Sequence, residues 1–143
     1  MTGNYVATST ITIDASADRV WVVLTDPVAI KEFMFGTEVE TDWTVGGPIL
    51  WRGVWNGKDY ADKGVILEFE RGRRLVNTHF SPLSGQDDVP ENYHTLTWTL
   101  ESGAGATELT LSQDNNASAE AAEHSKGMWD SLVKNVKAIA ERK

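Results

Sequence analysis

The sequence predicts an α+β fold in which about seven antiparallel strands curve around one long C-terminal helix. Two observations carry this. Residues 117–143 place Ala121, Ala122, Ser125, Trp129, Leu132, Val133, Val136, Ile139 and Ala140 at the i, i+3, i+4, i+7 spacing of one helical face. Residues 37–114 divide into six runs of similar length separated by turn residues, the pattern of a meander. At about 1.5 Å per residue the helix spans roughly 39 Å, so it needs a broad surface to lie on.

Taken in order, residues 5–14 alternate, with Tyr5, Ala7, Ser9, Ile11 and Ile13 on one face and mostly threonine on the other, which predicts a half-buried strand. Ser16 or Asp18 can start a short helix whose apolar face is Val20, Trp21, Val23 and Leu24. Asp26-Pro27 stops it, since proline disfavours helix at the residue before it. A second short helix runs through Ile30 and Phe33 and ends at Gly36. Strands follow over 37–43, 48–55, 60–70, 75–81, 93–101 and 106–114. Asn56-Gly57 is a strong hairpin signal, because both central residues of a type I′ turn need positive φ. In the last helix Asn115 or Asn116 can cap the first turn, Glu120 and Glu123 sit near the positive end of the dipole, and Lys134, Lys137, Arg142 and Lys143 sit near the negative end. The element order is β-α-α-β6-α.

Composition narrows the function. The 143 residues, 41% hydrophobic, predict a single domain over 1–143. With no cysteine there is no disulfide, thiolate metal site or cysteine nucleophile. No apolar run approaches the roughly 20 residues of a membrane span, and the start of the chain lacks a basic-then-apolar leader, so the expected location is cytoplasmic, without membrane insertion. A formal charge of −8 argues against nucleic acid, which rewards clustered Lys and Arg. Six tryptophans suit a large core or an aromatic pocket.

Several local patterns resemble a known group. Ala17-Asp18-Arg19-Val20-Trp21 opens the first helix and Thr25-Asp26-Pro27 closes it. Val45-Gly46-Gly47-Pro48-Ile49, Lys63-Gly64-Val65-Ile66 and Trp129-Asp130-Ser131-Leu132-Val133 follow in order. Together these resemble the SRPBCC superfamily of START and Bet v-type helix-grip proteins, and within it the family homologous to the activator of the heat-shock-chaperone ATPase. The stretch from His79 to Gly85, with Pro90-Glu91-Asn92-Tyr93-His94, is similar to a bacterial subgroup of that family. The resemblance implies a sheet curled around the last helix and an apolar cavity between them. The superfamily hosts ligand binders, cyclases and co-chaperones, so fold alone does not name the activity. The co-chaperones carry a further N-terminal domain that this sequence does not show.

Strand alternation predicts which side chains face the helix. The inward set is Ile49, Trp51 and Trp55, then Leu96, Trp98 and Leu100, then Leu109 and Leu111, with His94 and Gln113 in the same phases. On 75–81 two phases compete, Leu75/Asn77/His79 and Val76/Thr78/Phe80. Relatives carry aromatic residues at the positions of Asn77 and His79, so the resemblance implies that the first set points inward. If His79 then pairs opposite His94, both imidazoles share a face.

The last helix is bulky from Trp129 onward and small before it, so Ala121, Ala122 and Ser125 are expected to roof the cavity. The candidate ligand-binding residues are therefore Trp51, Trp55, Asn77, His79, His94, Trp98, Gln113, Ala121, Ala122 and Ser125. Three histidines, one of them the distant His124, make a poor metal site, and neither metal nor cofactor is expected. No paired carboxylates, Ser-His-Asp order or phosphate-cradling glycine loop stands at convincing spacing. The leading expectation is binding of a small apolar or aromatic molecule without catalysis. The alternatives are a cyclase- or dehydratase-type enzyme using His79 or His94, since imidazole is suited to proton transfer near neutral pH, and an interaction module with a chaperone as partner.

Overall fold

The computed structural model describes residues 5–55 and 57–142, apart from the side chains of Trp55 and Leu83. The candidate side chain of Trp55, the first hairpin residue Asn56 and the last residue Lys143 therefore lie outside the described residues. The elements are β1 (Tyr5–Ile13), α1 (Ala17–Thr25), α2 (Pro27–Phe33), β2 (Glu38–Glu40), β3 (Pro48–Trp55), β4 (Lys58–Glu70), β5 (Arg74–His79), β6 (His94–Ser102), β7 (Thr107–Asn116) and α3 (Ala119–Ala140). The seven strands form one antiparallel sheet in the order β1-β7-β6-β5-β4-β3-β2. This is the α+β helix-grip-like architecture expected from the sequence. No helix among the described residues is long and apolar enough to cross a membrane.

Local chemistry explains most element ends. Ser16 caps α1 by accepting from Arg19 N, and Asp26 both ends α1 and caps α2 by accepting from Val28 N. Gly57 takes the positive φ, 77°, that the β3–β4 turn demands. Between β5 and β6, the expected polar segment holds two single 3-10 turns, at Pro82–Ser84 and Pro90–Asn92. The run expected over 37–43 keeps only three strand residues, because β2 is the sheet edge and bonds to β3 alone.

The start of α3 differs from the expectation. Its cap is Ser118, whose hydroxyl accepts from Ala121 N at 3.0 Å, so the helix begins at Ala119. The two asparagines are engaged otherwise. Asn115 takes a positive φ of 57° and its amide donates to the carbonyls of Glu91 and Tyr93. Asn116 is buried, donates to the carbonyls of Tyr5 and Gln113, and accepts from the Ser125 hydroxyl. At the other end a residue outside the helix satisfies the last carbonyls: the Arg19 guanidinium donates to Ile139 O at 3.1 Å and Ala140 O at 3.3 Å. A cation placed there also complements the negative end of the helix dipole.

The core lies between the sheet and the three helices. Val133, Val136, Leu132 and Ile139 of α3 meet Ile13, Leu109, Leu111, Val20 and Val23 in one buried cluster. Trp21 belongs to it, edge-on to Phe69 at 5.2 Å. Trp129, where the bulky half of the helix begins, is only half-buried at the margin of this cluster, and the fully buried valines and Leu132 hold the helix.

A polar lock ties α3 to the edge strand. The buried Ser9 hydroxyl donates to Asp130 Oδ1 at 2.5 Å, and Lys126 Nζ bonds the same carboxylate. The Ser9 hydroxyl first, and Lys126 next, hold the Asp130 carboxyl below its usual 3.8. A depressed carboxyl stabilises the fold above its unfolded value and loses that contribution as pH falls through the lower folded value. We therefore expect the β1–α3 contact to loosen only in acid below 3.8. Ser9→Ala should raise the Asp130 midpoint in carboxyl ¹³C NMR titrations; an unmoved midpoint would show that the hydroxyl does not set it.

Candidate functional site

The inward phase of each central strand converges on one apolar cavity beneath α3. Its walls are Ile49 and Trp51 of β3, Leu75 and Asn77 of β5, Leu96 and Trp98 of β6 and Leu111 of β7. Its roof is Trp129 and Leu132 of α3, and α1, α2 and the β2 region close its sides through Leu24, Phe33, Met34, Val39 and Trp43. The unfilled space is about 470 Å³ when the open mouth is counted, of which about 40 Å³ admits the centre of a water-sized sphere. That is room for roughly three waters, by the rule that one needs about 10–15 Å³. Asn77, 2% exposed, is the one polar side chain on the lining among the described residues, and its Nδ2 donates to Thr78 O at 2.9 Å.

The free space therefore lies beneath the bulky half of α3, whereas the small-residue half was expected to cover it. The reason is where the helix meets the sheet. Ser125 is drawn to β7 by its bond to Asn116, and Trp129 sits on β7 with its indole N–H donating to Gln113 Oε1 at 3.3 Å. Of the sequence candidates, Trp51, Asn77 and Trp98 line the cavity. His79, His94, Gln113, Ala121, Ala122 and Ser125 do not line it.

The two histidines form a second cluster one inward-facing position farther along the strands. His79 pairs directly with His94 across β5 and β6, and their rings stack at 6.5 Å with an interplanar angle of 30°. Trp51 connects the clusters, because its ring lines the cavity and meets His79 edge-on at 5.1 Å. Each imidazole is tied by a neighbouring strand. His79 Nε2 lies 2.8 Å from Asp62 Oδ2 of β4, and His94 Nδ1 lies 2.8 Å from the Asp114 carbonyl oxygen of β7. An ionised carboxylate and a carbonyl can only accept, so the protons sit on His79 Nε2 and His94 Nδ1.

Asp62 is the residue that strand alternation missed. It faces inward because it pairs opposite Trp51 in β3, in phase with the buried Gly64 and Ile66. Asp62 Oδ1 and His79 Nδ1 are both buried without a hydrogen-bond partner among the described residues. Leaving a buried acceptor unpaired costs about 1–3 kcal/mol. No group of three or more potential metal ligands converges among the described residues.

The family model for "Activator of Hsp90 ATPase homolog 1-like protein" matches residues 14–141. The chain belongs to this family. Among solved structures, this Hsp90-activator-like chain is similar to ChR145 of Cytophaga hutchinsonii, with 42% identity, 99% of this chain and 97% of that one covered, and a TM-score of 0.86. It shares its fold with PFC0360w, an HSP90 activator from Plasmodium falciparum, at 20% identity, 94% coverage of both chains and a TM-score of 0.72. It also shares it with DynU16, a protein of the dynemicin biosynthetic locus, at 20% identity and a TM-score of 0.77, where 95% of this chain covers 47% of that one. No protein of curated function matches the sequence. Within the Hsp90-activator-like family, cavity and histidine cluster are thus features of this chain to be read from their own chemistry.

Proposed function

We propose that the protein binds a small apolar or aromatic molecule in the cavity between the sheet and α3. The observation that carries this is the lining: among the described residues, fourteen apolar side chains from eight elements and the segments that follow α2 and β2, and one buried amide, Asn77. Ligand sites have this make-up, a mostly apolar wall with few polar groups that orient the guest. A guest losing about 300 Å² of surface would gain roughly 7 kcal/mol before the cost of immobilisation, which supports micromolar binding at best. The 40 Å³ of free interior is far smaller than such a guest, so entry requires side chains to move. Met34, Val39, Trp43 and Trp129 are the half-buried side chains of the cavity wall, and of these the unbranched Met34 adapts most readily.

The test is titration with the neutral dye N-phenyl-1-naphthylamine, followed by its fluorescence. Saturable micromolar binding is expected in the natural protein. Val39→Trp, which enlarges a half-buried side chain at the mouth, should weaken it at least tenfold while the circular dichroism stays native. Unchanged affinity in the folded variant would place the dye elsewhere, and absence of saturable binding in the natural protein would remove the proposal. Family membership and the fold shared with the Plasmodium activator favour a second reading, contact with a chaperone. It predicts that the protein raises the ATP turnover of a bacterial Hsp90-type chaperone and that Val39→Trp leaves the effect intact.

A further inference from the structure

We propose that His94 is a general base, positioned by the Asp62–His79 pair, that takes a proton from an apolar molecule seated in the cavity. This rests on the cavity reading, since the cavity would hold the body of the substrate. His94 Nδ1 is committed to the Asp114 carbonyl, which leaves the lone pair on Nε2. Among the described residues Nε2 has no partner, and unlike His79 Nδ1 it is not sealed from solvent. Fixing one ring nitrogen as donor is how a protein presents the other as acceptor.

The neighbouring groups suit that role. His79 stacks on His94, and the Asp62 carboxylate orients His79 through Nε2. The carboxylate also supplies negative charge close to the place where His94 would become an imidazolium. The location matches as well. Asn77 and Leu96, both on the cavity wall, each stand two residues from a histidine on the same strand face. Two residues of strand span roughly 7 Å, so a bicyclic guest on Trp51 would reach the imidazole edge. The substrate class is an apolar, preferably aromatic, molecule with a weakly acidic C–H or O–H.

A suitable probe is 5-nitrobenzisoxazole, whose opening needs only a base. Nε2 takes the C3 proton, the C–H electron pair becomes the third bond of a nitrile, the N–O bond breaks, and its electrons leave on the phenolate oxygen. The natural protein should turn it over with a second-order rate constant at least tenfold above that of free imidazole. His94→Gln should return it to the imidazole level or below. Asp62→Asn and His79→Gln should each lower kcat about fivefold or more with KM changed less than twofold, the split expected of positioning residues. Long-range ¹H–¹⁵N spectra should show His94 as the Nδ1–H tautomer in the natural protein and in Asp62→Asn. Binding of the inert 6-nitrobenzotriazole separates the two levels of inference. Protein that binds it yet works no faster than imidazole, or a His94→Gln variant that keeps the rate, overturns the base assignment and leaves the cavity reading standing. Protein that neither binds it nor turns over the benzisoxazole overturns both.

Discussion

Gly64→Ala is expected to cost about 4 kcal/mol or more, in the range reached only by substitutions the fold cannot absorb. Gly64 is buried in β4 hard against the backbone of β5, and a Cβ built there would fall deep inside the van der Waals contact of the Thr78 carbonyl oxygen. Backbone cannot move aside as a flexible side chain can. The strands would have to part, and with them the reciprocal bonds between Lys63 and Phe80 and the bond from Val65 N to Thr78 Oγ1. The same movement would separate Asp62 from His79, which flank the contact on either strand. Urea unfolding of the variant should therefore give a much lower midpoint. Any folded fraction should lose histidine-dependent turnover before it loses dye binding. A midpoint within experimental error of the natural protein would show that the strands are not as close as described.

Phe33→Ala is expected to destabilise by roughly 3–5 kcal/mol, the usual range for emptying a fully buried aromatic site. Phe33 is 2% exposed at the end of α2, edge-on to Trp98 at 6.4 Å, and forms part of the cavity wall. For a chain of this size the melting temperature should fall by about 10–20 °C. The informative consequence is the second one. Removing the ring enlarges an apolar cavity that is already unfilled, so N-phenyl-1-naphthylamine should bind Phe33→Ala more tightly than the natural protein. Part of the lost stability should return when the dye is present, because a ligand that binds only the folded state shifts the equilibrium towards it. Destabilisation without tighter binding would mean that the neighbouring side chains collapse into the space.

Much of the architecture is legible in the residue order because it rests on local chemistry. Ser16, Asp26-Pro27 and Gly57 act within a few residues of where they stand, so the element boundaries they predict agree with the structure. Alternation on a half-buried strand likewise needs no knowledge of partners. Ile49 and Trp51, Leu96, Trp98 and Leu100, and Leu109 and Leu111 are all buried as their phases predict. The inward phases put His79 and His94 on one face, but phase leaves the register open, and it is the β5–β6 pairing that sets the two opposite each other.

By itself, then, the sequence determined the order of elements, the inward faces of β1, β3, β6 and β7, and the family to which the chain belongs. Only the tertiary structure decided which side chains meet across those faces. Asp62 reads as one of several charges in an exposed strand until the β3–β4 register sets it opposite Trp51, and a bulge between Ile66 and Glu68 interrupts the alternation that might have revealed it. Arg19 reads as a surface residue of α1 until α3 ends beside it. The position of the cavity depends on how far α3 slides along β1 and β7. That is settled by Ser9 on Asp130, Asn116 on Ser125 and Gln113 on Trp129, pairs separated by 121, 9 and 16 residues. Periodicity along one element gives the direction of each side chain. The distance between elements comes from packing volume and long-range hydrogen bonds, to which no local pattern is sensitive.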